Sequence, residues 1–184
     1  GGKIVIRVSG LVTGGSGVGA AMRVEGGQDN RIAIEEGAVV SAASGRAIVG
    51  AFTTGTITNR GTLIGDVDLT GGGQTGRVLF DNGFDGAASA ILRTGPDGVI
   101  ALGDGGRLRN GAILDIGGVS KVARAMGTGN FQQIESGRLL VDIAPLATEP
   151  DLRKDVLYVS GTAFLRGVVE PHLIAGDPES TRPN

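Results

Sequence analysis

The chain has 184 residues, 40% of them apolar, with 35 glycines, no cysteine and a formal net charge of −2. The glycines follow no Gly-X-Y period, which excludes collagen, and the apolar share is too high for a disordered glycine-rich linker. The missing cysteine removes disulfides, thiolate metal sites and cysteine nucleophiles, and the 17 basic residues form no run that would track a phosphate backbone, so nucleic acid is not an expected partner.

No apolar run approaches the roughly 18 residues a membrane-spanning helix needs. The chain opens Gly1-Gly2-Lys3, with neither a methionine nor a signal peptide, and reads as a processed or excised piece of a longer protein. A first strand–glycine–strand unit, Val8-Ser9-Gly10-Leu11-Val12, follows. The glycine-rich stretch from Gly14 to Gly19 lacks the Lys-Ser/Thr of a P-loop and any βαβ setting, so it reads as a turn.

The same unit returns at 32–40, 56–64, 78–83, 107–114, 133–140 and 157–163. Its anchor glycines are Gly10, Gly37, Gly61, Gly83, Gly111, Gly137 and Gly161, separated by 27, 24, 22, 28, 26 and 24 residues. Apolar and polar residues alternate within each copy, as in Ile32-Ala33-Ile34, which is a strand pattern. Glycine at the anchor permits a sharp or left-handed bend. The polar pairs before it (Glu35-Glu36, Asn59-Arg60, Asp81-Asn82, Arg109-Asn110, Glu135-Ser136) are expected at an exposed corner. One such unit cannot bury its apolar side, whereas stacked units share a continuous core. An antiparallel sandwich also uses short strands and Asn-Gly turns, but its strands return every 8–12 residues, not every 25 or so.

Between the copies, Gly71 to Gly76 lacks the aspartate of a calcium-binding nonapeptide, and Gly103-Asp104-Gly105-Gly106 is an isolated acidic turn. Ser120 to Met126, closed by Gly127, fits either a short helical turn with Ser120 as N-cap or an irregular loop. Ala144 to Lys154 carries Pro145, Pro150 and several charges and is expected as an exposed loop.

The candidate chemistry is sparse. Asp66 and Asp68 point to one side of a strand, as a carboxylate pair could, and Asp81 and Asp85 flank a turn. Solvated turn carboxylates account for both. A sugar-cleaving cleft also wants aromatic platforms, and the chain has no tryptophan and the single Tyr158. His172 is the only histidine, and no Gly-x-Ser-x-Gly elbow supplies a nucleophile for it.

The C-terminal third resembles the end of autotransporter passenger domains. In that family a strand of the form G-x-L-x-V-D is followed by D-x-L-x-V-x-G-x-A-x-L-x-G-x-V. The matching positions here are Gly137, Leu139, Val141 and Asp142, then Asp155, Leu157, Val159, Gly161, Ala163, Leu165, Gly167 and Val169. Upstream rungs such as Gly55 to Leu69 are similar to passenger rungs, so the resemblance covers most of the chain.

It implies an all-β, right-handed parallel β-helix of about six to seven rungs with a C-terminal β-hairpin-like cap. The rungs would cover 1–143, an exposed loop 144–155, a capping, autochaperone-like element 156–175 and a tail or linker 176–184, all in one continuous domain. The implied role is a membrane-proximal passenger segment, a rigid stalk and folding cap of an adhesin on the bacterial cell surface, exported through the periplasm and outer membrane. No catalytic residue, cofactor or metal ligand is expected. Expected partners are the protein's own C-terminal β-barrel, absent from this chain, and host cell-surface or matrix molecules, the chain itself being a monomer. The alternatives are a β-helical polysaccharide lyase or hydrolase acting through Asp66 and Asp68, and a phage-type β-helical fibre.

Overall fold

Alternation at period two gives each short segment one side to bury, and glycine-marked corners bring successive segments into register. The structure, a computed structural model that describes residues 2–51, 54–71 and 76–174, is accordingly a parallel β-helix. The stretch 72–75 and the tail 176–184 read above lie outside the described residues. The first turn holds β1 (Val5–Val8), β2 (Leu11–Gly14) and β3 (Met22–Glu25), and the second β4 (Asn30–Ile34) and β5 (Val39–Ala51). The third turn has β6 (Thr54–Asn59) and β7 (Thr62–Asp68), and the fourth β8 (Arg77–Asn82), β9 (Ile91–Arg93) and β10 (Asp97–Ala101). The fifth has β11 (Arg107–Asn110), β12 (Ile113–Asp115) and β13 (Arg124–Thr128), and the sixth β14 (Asn130–Gln133), β15 (Arg138–Ile143) and β16 (Val156–Val159). A partial turn, β17 (Ala163–Leu165) and β18 (Val168–Leu173), completes the described chain.

These strands make three faces. The first is a seven-stranded sheet in the order β1-β4-β6-β8-β11-β14-β17. The second stacks β2, β5, β7, β9, β12, β15 and β18, and the third β3, β5, β7, β10, β13 and β16. β5 and β7 run through the corner between the second and third faces, so these two faces join as one eleven-stranded sheet. Every strand pair is parallel.

The core is built in columns that follow the registers. Ile32, Ile57, Phe80, Leu108 and Phe131 stack behind the first face, and Val40, Leu63, Leu92, Leu114 and Leu139 behind the second. Each member lies one strand spacing, about 4.8 Å, from the next. Each large aliphatic side chain withdrawn from water contributes on the order of 2 kcal/mol.

The corner between the first and second faces is a column of small residues. Val39, Thr62, Ile91, Ile113, Arg138 and Val168 donate backbone N–H bonds to the carbonyls of Gly10, Ala38, Gly61, Ala90, Ala112 and Gly137. A Cβ added at Gly61 would strike the carbonyl oxygen of Ala38, which is why only the smallest residues fit here. Three expected anchors, Gly10, Gly61 and Gly137, stand in this column. Gly161 does not: its N–H bonds Gly129 O at 3.0 Å, at the corner that leads into the first face. The last position in the column belongs to Gly167, whose φ of +76° a side chain would strain.

The polar residues beside these glycines divide in two. Glu36 and Glu135 are exposed as expected, but Asn59, Asn82 and Asn110 are fully buried. They point inward and form a ladder. Asn59 Nδ2 donates to Asn82 Oδ1 at 2.8 Å, Asn82 Nδ2 to Asn110 Oδ1 at 2.8 Å, and Asn110 Nδ2 to Gln133 Oε1 at 2.9 Å. The second amide hydrogens go to the carbonyls of Ile91, Ile113 and Arg138. Gln133 ends the ladder on the carbonyls of Arg166 and Val168. An amide both donates and accepts, so identical rungs satisfy one another inside an apolar core.

Two other segments depart from the sequence reading. Ser120 has a φ of +62° and caps no helix, and the residues after it form strand β13 between β10 and β16. The expected hairpin-like cap is not a hairpin. β17 and β18 pair in parallel with β14 and β15, so Gly161 and Gly167 turn corners of the helix and do not reverse the chain.

Candidate functional site at the last turns

The loop after β15 returns to its start through the 3-10 turn Pro150–Leu152. Ala144, Ala147 and Asp155 are buried within this otherwise exposed loop. Ala144 N–H bonds Arg153 O at 2.8 Å, and Arg153 Nε bonds Ala147 O at 3.0 Å. The result sets Asp155 beside Asp142, thirteen residues earlier.

The two aspartates hold four segments together. Asp142 N–H donates to Asp155 Oδ2 at 2.6 Å, and Asp155 N–H donates to Asp142 O at 2.9 Å. Asp155 Oδ1 also accepts the Ala123 N–H at 2.7 Å, and Asp142 Oδ2 the Lys121 N–H at 2.7 Å. The other oxygen of Asp142 meets His172 Nδ1, on β18, at 2.8 Å. One turn earlier Asp115 is buried too, with its carboxylate taking Arg93 Nε at 2.7 Å. Burial pushes the Asp155 carboxyl up to about 7, and the negative charges of Asp142 and Asp115 add to it, while the two backbone donors pull the other way.

Such a cluster can brace the corner between the second and third faces and take up one proton near neutrality. His172 bonds Asp142 and no serine or threonine hydroxyl among the described residues. Nor do three His, Cys, Asp or Glu side chains converge there as a metal-ligand set.

The other sequence candidates lie apart from this cluster. Asp66 and Asp68 do face outward on β7, as the alternation requires. Each is bound into the frame: Asp66 accepts the Val99 N–H at 2.9 Å, and Asp68 accepts the N–H and hydroxyl of Thr70 at 3.0 and 2.8 Å. Burial raises the Asp66 carboxyl above its ordinary range. Asp81 and Asp85 are each matched to a different arginine, Asp81 with Arg109 and Asp85 with Arg60 at 2.6 Å. Tyr158 lies exposed on β16, in register with Met126.

The last turn also differs in burial. Leu139 is 8% exposed, whereas Val169, in register with it on β18, is 52% exposed, and Leu165 on β17 is 54% exposed. These are core-facing positions over which the described residues place no further strand. No known protein family, curated protein or solved structure matches this chain.

Proposed function

We propose that this chain is the membrane-proximal part of an autotransporter passenger, a rigid stalk whose last turns act as its folding and secretion cap. The carrying observation is the meeting of Asp142 and Asp155, the two aspartates of the C-terminal motif, in one reciprocal hydrogen-bonded unit. This gives the motif a physical purpose, since it closes the corner between β15 and β16 and ties it to Lys121 and Ala123 of the turn before. The parallel solenoid, with its repeated neutral ladder, suits a stalk. Among the described residues the last turn leaves its strand edges unpaired and its core positions half exposed, the places from which a solenoid template grows and which an unprotected protein must cover.

The test is surface display of the full-length gene product with Asp142→Ala and Asp155→Ala combined. The reading predicts that passenger stalls or is degraded before reaching the cell surface. Normal display of protease-resistant passenger would overturn the capping role. The coding sequence downstream must also encode an even number of roughly 10-residue amphipathic strands for a translocating barrel.

A further inference from the structure

The basic residues that look scattered in the sequence are gathered by the winding. On the first face, Lys3, Arg31, Arg77 and Arg107 all point outward, because their neighbours Ile4, Ile32, Val78 and Leu108 point into the core. They come from turns one, two, four and five and therefore span about 19 Å along the helix axis at the strand spacing. Among the described residues none of the four has a carboxylate partner. The other side of the same face is neutralised, with Arg7 on Glu35 at 2.7 Å and Arg109 on Asp81.

Lys3, Arg31 and Arg77 line one shallow concavity together with Gln28, Thr54 and Thr56. The single carboxylate lining it, Asp29, is turned onto Thr54, accepting the hydroxyl at 2.9 Å while its own N–H donates to Thr54 Oγ1 at 3.0 Å. Asp29 holds a φ of +50°, a conformation that costs a non-glycine residue energy. That contact keeps the carboxylate occupied beside the cations.

We infer that this face binds a linear acidic polysaccharide. Cations on four different turns are too spread to converge on one small anion, whereas carboxylate or sulfate groups repeated along a chain can meet them in series. Gln28 and Thr56 supply neutral donors and acceptors for sugar hydroxyls between the charges. Among the described residues no aromatic side chain lines the concavity, so they offer none of the stacking platforms that single-stranded nucleic acid uses. The positive strip stands on a chain of net charge −2, so a bound polyanion is steered to this face and away from the rest of the surface. The inference goes beyond the passenger reading and does not rest on it.

The experiment is binding of fluorescently labelled heparin, and separately of polygalacturonate, to the purified chain at low and moderate salt. Binding to at least one of them, weakening steeply as salt rises, is expected. The double variant R31E/R77E should reduce affinity by at least about tenfold. R23E, on the third face beside Glu25, should leave it unchanged. Circular dichroism of each variant checks that the helix is intact, and R107E alone gives an independent smaller loss. No binding to either polymer at low salt, or equal binding by R31E/R77E, would overturn the proposal. So would duplex DNA binding as tightly through the same residues.

Discussion

Where the first face meets the second, Asn59, Asn82, Asn110 and Gln133 run through the core as an amide ladder. Where the second meets the third, Asp115, Asp142 and Asp155 lie buried near the end of the helix. An amide offers donors and an acceptor, so one rung completes the next, and the hydrogen left on each asparagine goes to a backbone carbonyl of the second face. An ionised carboxylate only accepts, so each aspartate must recruit backbone N–H groups, an arginine or a histidine. The ladder is therefore indifferent to pH and extendable, whereas the acid cluster is local and carries a charge penalty. One suits the repeating shaft, and the other fastens a single place.

The largest expected effect falls on the ladder. Asn110→Ala removes the acceptor of Asn82 and the donors to Gln133 and to the Arg138 carbonyl, all in the core. A loss of about 4 kcal/mol, read from urea unfolding, is expected because several buried polar groups are left unmatched together. A loss below about 1 kcal/mol would show that the ladder is not a structural element.

The acid cluster gives a smaller and pH-dependent effect. The folded carboxyl of Asp155 sits near 7, above its value in an unfolded chain, so the folded state holds an extra proton between about pH 4 and 7. Stability is then greatest at the acidic end of that window and falls as pH rises through it, by about 2 kcal/mol, roughly half of what the full shift would give because the carboxyl is only partly desolvated. Asp155→Asn should flatten this slope, whatever it does to overall stability, and thermal melts across the window read both.

Replacing His172 by Ala leaves Asp142 with its Lys121 donor and costs about 1 kcal/mol in the same unfolding assay, since the imidazole is half exposed. Smallest of all is Arg23→Ala, which breaks only the exposed pair with Glu25 and should shift stability by no more than about 0.5 kcal/mol.

The period of the helix was legible because alternation and glycine recur in the sequence itself. Which glycine occupies the corner was not, since a turn of variable length separates Gly83 from Ala90, the residue that fills the column, and Gly161 looks like Gly167 to any spacing rule. The ladder was misread for a related reason. Asn beside Gly is an exposed hairpin signal in most chains, and the offset to the following glycine is two residues for Asn59 but one for Asn82 and Asn110, so only the strand register marks them as a column. The acid cluster was visible as two aspartates of a motif, but their contact depends on a thirteen-residue loop that brings them together. The cation strip had no sequence signature at all, because its members come from different turns of the helix.

The division of the molecule into a pH-indifferent shaft and an acid-fastened last corner is tested most directly by amide hydrogen exchange at about pH 5 and about pH 8, corrected for intrinsic rates. The account predicts that Lys121, Ala123, Asp142 and the amides of β16 lose protection at the higher pH while Gly83, Gly111 and Ile134, beside the ladder, keep theirs. A uniform change along the helix, or a loss confined to the ladder turns, would contradict it.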